Sequence, residues 1–282
     1  MEIFTDVDLF PYNTMRLHSI ARIMYFPENE SELVELVSSF KKKGTSFILL
    51  SAGSNIVFDE RVSSPIINLM RLNCSLDLLP NGNIFCGSSV RIQSLIRFAQ
   101  SQGKGGIEYL FSVPASIGGA VFMNAGRGKS AGKSISDYIV RVRYLDMDSM
   151  IFTDLYGNTG YGFRYSPFQE MEAIIVGVEF SFDSKSKEDV EKGIQERLAF
   201  SKQNLSADKP SCGSVFSIVN PILIRLFKGQ RIGGAMFVKK NYNWIVNLGN
   251  ASSSDIRCLV NRVIRLHRFF HLPIKTEIRF LG

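Results

Sequence analysis

No two of the four cysteines, Cys74, Cys86, Cys212 and Cys258, stand at the two-residue spacing of a zinc site or a redox dithiol. The three histidines, His18, His267 and His271, do not sit beside any of them, so no metal is expected. No run of five like charges exists; the longest cluster is Lys41, Lys42 and Lys43. This argues against a nucleic-acid arm. No apolar stretch approaches the roughly 20 residues of a membrane span. The opening "MEIFTDVDLFPYN" is acidic and lacks the charge pattern of a signal peptide. There is no internal repeat, no low-complexity segment and no GxGxxG. A cytoplasmic protein without nucleic-acid or membrane partners, and a monomer, is the expectation.

What is present suits a soluble globular chain. Its 282 residues are 45% hydrophobic and 21% charged. That length accommodates one large domain or two moderate ones. The net charge of +7 favours anionic partners such as phosphorylated small molecules, although a solvated basic surface explains charge equally well.

Periodicity places four helices. "NESELVELVSSFKKKG" carries Asn29 as a cap with Glu32 three residues on, Leu33, Leu36, Val37 and Phe40 on one face, and Gly44 as a stop. "VRIQSLIRFAQSQG" turns Ile92, Leu95, Ile96 and Ala99 inward. A third helix follows residue 189, with Val190, Ile194 and Leu198 four apart, and "SSDIRCLVNRVIRLHRFF" is the fourth. "SFILL" (46–50) and "IVF" (56–58) read as buried strands, and three more strands fall between 137 and 182. The polar "DSKSKED" (183–189) is the best domain boundary. Helices and strands mix without regular alternation, which predicts an α+β fold rather than a doubly wound sheet.

Two loops are chemically unusual. "SAGSN" (51–55) offers small side chains and successive backbone N–H groups just past a strand, a nest that suits phosphate. "VPASIGGAVFMNAG" (113–126) repeats this on a larger scale: Pro114 stiffens its start, and Gly118 and Gly119 let a ligand approach the main chain. Two such loops fit the two ends of one large anion such as a dinucleotide. Either loop alone is equally readable as a tight turn packed on its own sheet.

Seven segments, taken in order, carry a resemblance: "GSN" (53–55), "GGIEYLFSVPASIGGAVFMNAG" (105–126), "YGFRYSPF" (161–168), "KPSCGSVF" (209–216), "GQRIGGA" (229–235), "NWIVNLGNA" (243–251) and "TEIRFLG" (276–282). The chain resembles the UDP-N-acetylenolpyruvoylglucosamine reductase (UDP-N-acetylmuramate dehydrogenase) family, in its shorter subclass. The resemblance implies an FAD-binding domain of the vanillyl-alcohol-oxidase type, residues 1–183 in two subdomains (about 1–70 and 71–183). A substrate-binding α+β domain, 184–282, follows, its last strand returning to the active site. It implies FAD as cofactor, NADPH as co-substrate and a nucleotide-sugar substrate, UDP-N-acetylglucosamine enolpyruvate, reduced in peptidoglycan precursor synthesis. His18 is the only histidine near a cofactor segment, so the FAD is expected to be non-covalent.

The same resemblance assigns roles. Ser214 would be the proton donor, Arg164 would hold the substrate carboxylate, and Glu277 would act beside Arg164. Ser51, Ala52, Gly53, Ser54, Asn55, Pro114, Ala115, Ser116, Ile117, Gly118, Gly119, Asn124, Ala125, Gly126 and Arg231 would contact FAD. Tyr165, Lys240 and Asn241 would contact substrate. Read alone, Ser214 fits a small-residue turn, Glu277 a solvated strand face between Lys275 and Arg279, and Arg164 a surface arginine stacked on Phe163 or Tyr165. Cys212 has no neighbouring histidine and makes a poor nucleophile. The chain departs from the family pattern at His18, Ser19 and Ile20, at Ser51 and Ala52, at Ala115, at Lys240-Asn241 and through "SVFSIVNPILIRLFKG", which is short and apolar. These departures leave open a diverged FAD oxidoreductase, or an FAD-binding module, with a different substrate.

Overall fold

Asn29 opens the first helix, α1 (Glu30–Lys42), by accepting the Glu32 N–H on its side-chain oxygen at 2.9 Å. Glu30 and Glu32 in the first turn and Lys41 and Lys42 in the last match the helix dipole. The buried stripe Leu33, Leu36, Val37 and Phe40 packs on Ile67, Leu145, Ile174 and Val176. The computed structural model that shows this describes residues 1–127, 132–205 and 208–282. They form two compact units, each assembled from three chain segments. The first takes Met1–Ile3, Tyr25–Ser51 and Ile66–Ala199; the second takes Phe4–Met24, Ala52–Pro65 and Phe200–Gly282.

The first unit is built on a five-stranded antiparallel sheet. Its order is Ile151–Tyr156, Ile139–Asp146, Ala173–Phe180, Ile84–Gly87, Leu76–Leu78. All eight residues of Ala173–Phe180 are buried, because both sheet faces are covered. One face meets α1; the other meets α2 (Ile92–Ser101) and α3 (Ile117–Phe122) in a core that includes Leu95, Val121, Val142 and Val178. Glu179 is the one charge in that strand. Burial pushes its carboxyl up, but hydrogen bonds from Asn83, Arg141 and Asn81 outweigh this and hold it below its ordinary range.

α3 was not expected as a helix. Its six residues are permitted by Ser116, whose hydroxyl caps the Gly119 N–H at 3.3 Å. Residues 183–184 pair as a short strand with Lys104–Gly105 in the first unit, and α4 (Lys187–Asn204) follows. Val190 and Ile194 are buried there, but Leu198 is exposed, contrary to expectation. The neighbouring Ala199 and Phe200 are exposed too, whereas Ser201 is buried, so the buried face has moved off the Val190–Ile194 line by that turn.

The second unit carries a four-stranded antiparallel sheet, ordered Ser211–Ser214, Trp244–Asn247, Ala235–Phe237, Arg231–Ile232. Helix α5 (Ser253–Phe269) starts at a Ser252/Asp255 capping box and buries Ile256, Leu259, Val260 and Val263 against Phe237, Ile245 and Phe216. The C-terminal tail is two short strands rather than one. Lys275–Thr276 pairs antiparallel with Phe216–Ile218, and Arg279–Leu281 pairs parallel with Ile56–Phe58. The fold is α+β, as its irregular alternation of helices and strands predicts. Among the described residues, no helix is long and apolar enough to cross a membrane.

Candidate active site

Ser51, the first residue of one loop singled out in the sequence, meets Ser116 of the other within the first unit. The hydroxyls of Ser51 and Ser116 are in hydrogen-bond contact. Beside them, a Cβ placed on Gly119 would lie 3.6 Å from the Ser116 Oγ and 3.8 Å from the Ser51 Oγ, ordinary contact distances. Neither protein packing nor a positive φ therefore demands glycine at 119. Gly118 differs: its Cβ would stand 3.0 Å from the Ser88 Cβ, so that glycine serves helix packing. The bare backbone of this loop thus has two causes, and Gly119 is the glycine whose neighbours leave room for a Cβ. Two small hydroxyls beside a glycine are donors that suit a phosphate group, and these residues fit the phosphates of FAD.

The rest of the second loop is spent on the protein itself. Ala115 and Ile117 are buried, and the Ile117 N–H goes to Val90 O at 2.9 Å. Pro114 is exposed. Gly126 packs against Lys133 and Ser134 in a short strand pairing, and Ala125 accepts the Ile135 N–H at 2.8 Å. Ala52–Asn55 belong to the second unit. There Gly53, at φ +63°, is pressed against the Tyr12 carbonyl so closely that any Cβ would collide, and its own carbonyl accepts the Thr14 N–H. The Ser54 carbonyl accepts the Thr14 hydroxyl at 3.5 Å.

Arg164 sits in a tight turn. Gly162 and Tyr165 exchange backbone hydrogen bonds of 3.0 and 3.1 Å, and Arg164 adopts φ +56° between them. For a residue with a Cβ that costs about 1–3 kcal/mol. The turn is pinned to the end of α3. Asn124 donates to Gly162 O at 2.8 Å; Gln169 donates to both Arg164 O (3.1 Å) and Phe122 O (2.9 Å); the Ser166 hydroxyl donates to Phe122 O at 2.7 Å. The Arg164 guanidinium lies over the Phe163 ring, 5.6 Å from its centre. Tyr165 is half-buried, and its hydrogen bond to Glu170 pushes the phenol above its ordinary range.

Ser214 and Glu277 come together in the second unit. Gly213, at φ +78°, makes a bulge where the strand Ser211–Ser214 shifts register against Trp244–Asn247, which re-aims Ser214. The next residue, Val215, accepts the N–H groups of both Glu277 (2.8 Å) and Ile278 (3.4 Å) on its carbonyl. That shared acceptor is where the C-terminal tail kinks between its two strands. Asn55 donates to the Glu277 carbonyl at 2.9 Å. Asn243 clamps Phe216 by donating to its carbonyl (2.8 Å) and accepting its N–H (3.0 Å). Cys212 is buried among these groups. Burial, with the Glu277 charge nearby, pushes its thiol up to about 12.

The remaining predicted residues make local contacts. Arg231 is exposed and donates to Gly233 O at 2.7 Å. Lys240 is exposed and reaches Gln203 O at 3.5 Å. Asn241 forms a turn that accepts the Trp244 N–H at 3.0 Å. His18 holds Asp8 at 2.8 Å and stacks on Phe10. Sequence reasoning missed Gln169 and Asn243, the two amides that fix the Arg164 turn and the Phe216 backbone two residues after Ser214. Gln169 stands just past the quoted "YGFRYSPF" and Asn243 opens the quoted "NWIVNLGNA", so their only signal was a carboxamide at a motif's edge. Among the described residues, no group of three His, Cys, Asp or Glu side chains could hold a metal ion.

An α+β chain whose first unit joins two small-residue loops at paired hydroxyls matches the FAD binding domain family over residues 21–154. By class it is a flavin oxidoreductase. Residues 203–281 match the family described as UDP-N-acetylenolpyruvoylglucosamine reductase, C-terminal domain. The UDP-N-acetylenolpyruvoylglucosamine reductase of Francisella tularensis is 33% identical, over 90% of this chain and 91% of its own length. That of Lactobacillus johnsonii is 27% identical over 100% and 95%. The crystal structure of the Thermus caldophilus reductase superposes with a TM-score of 0.78 at 27% identity, covering 100% of this chain and 98% of that one. The chain belongs to the UDP-N-acetylenolpyruvoylglucosamine reductase family.

Proposed function

We propose that this protein uses NADPH to reduce UDP-N-acetylglucosamine enolpyruvate to UDP-N-acetylmuramate, a step of peptidoglycan precursor synthesis, in the cytoplasm and as a monomer. The observation that supports the reading is the Glu277 N–H held on the carbonyl of Val215, the residue after Ser214, inside the segment matching the family's C-terminal domain. When bound, FAD supplies hydride chemistry, accepting from NADPH and donating to the enolpyruvyl group. Ser51, Ser116 and Gly119 would hold its phosphates, and the backbone of 52–55 and 114–126 and Arg231 would be further contacts. His18 is occupied by Asp8 and Phe10, which supports non-covalent attachment. By ligand, residues 1–183 are assigned to FAD and 184–282 to substrate.

The chain's own side chains then handle charge and proton. Arg164 binds the substrate carboxylate, where negative charge grows in the transition state. Ser214 delivers a proton to the carbon next to that carboxylate. A serine hydroxyl is a weak acid, so the charge left on its oxygen must be stabilised as it forms. Glu277 orients this centre together with Arg164, and Tyr165, Lys240 and Asn241 contact the sugar nucleotide.

Ser214→Ala tests the assignment. The expected outcome is flavin bleaching by NADPH at a near wild-type rate, with recovery of the flavin absorbance on adding the enolpyruvyl substrate slowed about 10²–10⁴-fold, the usual scale for a lost general acid. Equal slowing of both phases contradicts the role, because it means the flavin pocket itself was disturbed.

A further inference from the structure

The charge of this chain is unevenly placed. Residues 209–282 carry twelve Lys and Arg against two acidic side chains, Asp255 and Glu277, a net +10; the preceding 208 residues carry net −3. Both acids are committed. Asp255 closes the α5 capping box and accepts the Gly234 N–H, and Glu277 is the carboxylate of the candidate site. Anionic substrates account for some of this positive charge. They do not account for the apolar groups exposed beside it.

Those groups lie on two neighbouring tips of the second unit. At the end of α5, Phe269 is 76% and Phe270 52% exposed, their rings in edge contact, flanked by exposed Arg265, Arg268 and His271. His271 takes φ +53° to stop the helix, and Leu272 donates back to His267 O, which fixes the two phenylalanines at the tip. The other tip is the helical turn Leu223–Phe227. It buries Ile224 and Phe227 and turns Ile222 (70% exposed) and Leu226 (63%) outward beside exposed Arg225 and Lys228. The tips are fastened together. Asn220, whose side chain accepts the Ile222 and Leu223 N–H groups, donates its own N–H to the buried His267 Nε2 at 3.0 Å, and the opposite ring nitrogen meets Val263 O.

We propose that this face docks on the surface of a membrane containing anionic phospholipid. Apolar wedges ringed by arginine and lysine are the pattern by which a protein lies on such a bilayer: the cations meet the headgroup phosphates and the side chains enter the acyl boundary. A second copy of the chain is a poor occupant, because two identical cationic faces repel. Soluble nucleotides have no use for Ile222, Leu226, Phe269 and Phe270. The contact is peripheral and separate from the reductase reading.

The FAD-loaded protein is mixed with sedimentable vesicles of phosphatidylglycerol and phosphatidylcholine in equal parts, or of phosphatidylcholine alone, at low and at physiological salt. Binding to the anionic vesicles only, weakened by salt, is expected. Phe269→Ser/Phe270→Ser and, separately, Arg265→Glu/Arg268→Glu should each reduce it at least tenfold, with bound flavin and melting temperature unchanged. The proposal is overturned if wild type ignores the anionic vesicles at low salt, or binds phosphatidylcholine equally well. It also falls if the Phe269→Ser/Phe270→Ser variant binds like wild type, since the charge then serves phosphate alone. Tighter binding to a single-stranded RNA, with the same dependence on the two phenylalanines, overturns it in favour of nucleic acid.

Discussion

Arg164 holds φ at +56° although it carries a Cβ, and four side-chain hydrogen bonds from Asn124, Ser166 and Gln169 keep its turn in place. Strain of this kind persists where the surroundings over-determine it. Arg164→Gly should raise the stability of the apoprotein by about 1 kcal/mol, since glycine adopts this φ without a Cβ clash, while abolishing turnover. Thermal unfolding beside NADPH oxidation checks both halves, and a lowered melting temperature contradicts the strain argument. Gln169→Leu should keep flavin but raise the KM for the enolpyruvyl substrate, because the turn loses the amide tying it to Phe122. The thiols offer a simpler check. Iodoacetamide at pH 8 should label exposed Cys74 and Cys258 and spare Cys86 and Cys212, both buried with their thiols pushed up. Labelling of native Cys212, read by mass spectrometry, contradicts the packing around Ser214.

Within elements, the short helix α3 separates two glycines that look alike in "SIGGA". Gly119→Val should leave the apoprotein's melting temperature nearly unchanged and expel FAD, because the new Cβ meets Ser51 and Ser116 only at ordinary contact distance while the side chain covers the two hydroxyls. Gly118→Val should lower stability instead, as it drives atoms into Ser88. Full flavin occupancy in Gly119→Val refutes the loop assignment. The helices of this fold were legible because their signals are local: the Asn29 cap and the stripes of α1, α2 and α5 read directly from spacing. The kink at Glu277 and Ile278 was not legible, because it depends on the Val215 carbonyl more than sixty residues away in sequence. Gln169 and Asn243 escaped notice for the same reason. A carboxamide's role lies in what it meets across the fold, and periodicity carries none of that.

For the molecule as a whole, redox chemistry and charge belong to different stretches of the chain. Ser51 and Ser116, the hydroxyls proposed for FAD phosphate, meet in a unit dominated by residues before 200, whereas the net +10 lies in residues 209–282 with Ser214 and Glu277. Deleting residues 276–282 should therefore do two things. It removes Glu277, and it exposes the core that Ile278 and Phe280 cover, at a cost on the order of 2–5 kcal/mol. Glu277→Gln isolates the first effect: unchanged thermal unfolding and unchanged flavin bleaching by NADPH, with substrate-driven recovery of the flavin suppressed. Wild-type recovery in that variant returns Glu277 to an ordinary strand face. The central claim, that this chain is a working reductase of its family, is tested most directly by NADPH oxidation by the FAD-loaded wild-type protein, with and without UDP-N-acetylglucosamine enolpyruvate. Oxidation dependent on that compound, with one NADPH consumed per UDP-N-acetylmuramate detected by mass spectrometry, is the predicted result; oxidation at the same rate without it, and no product, contradicts the account.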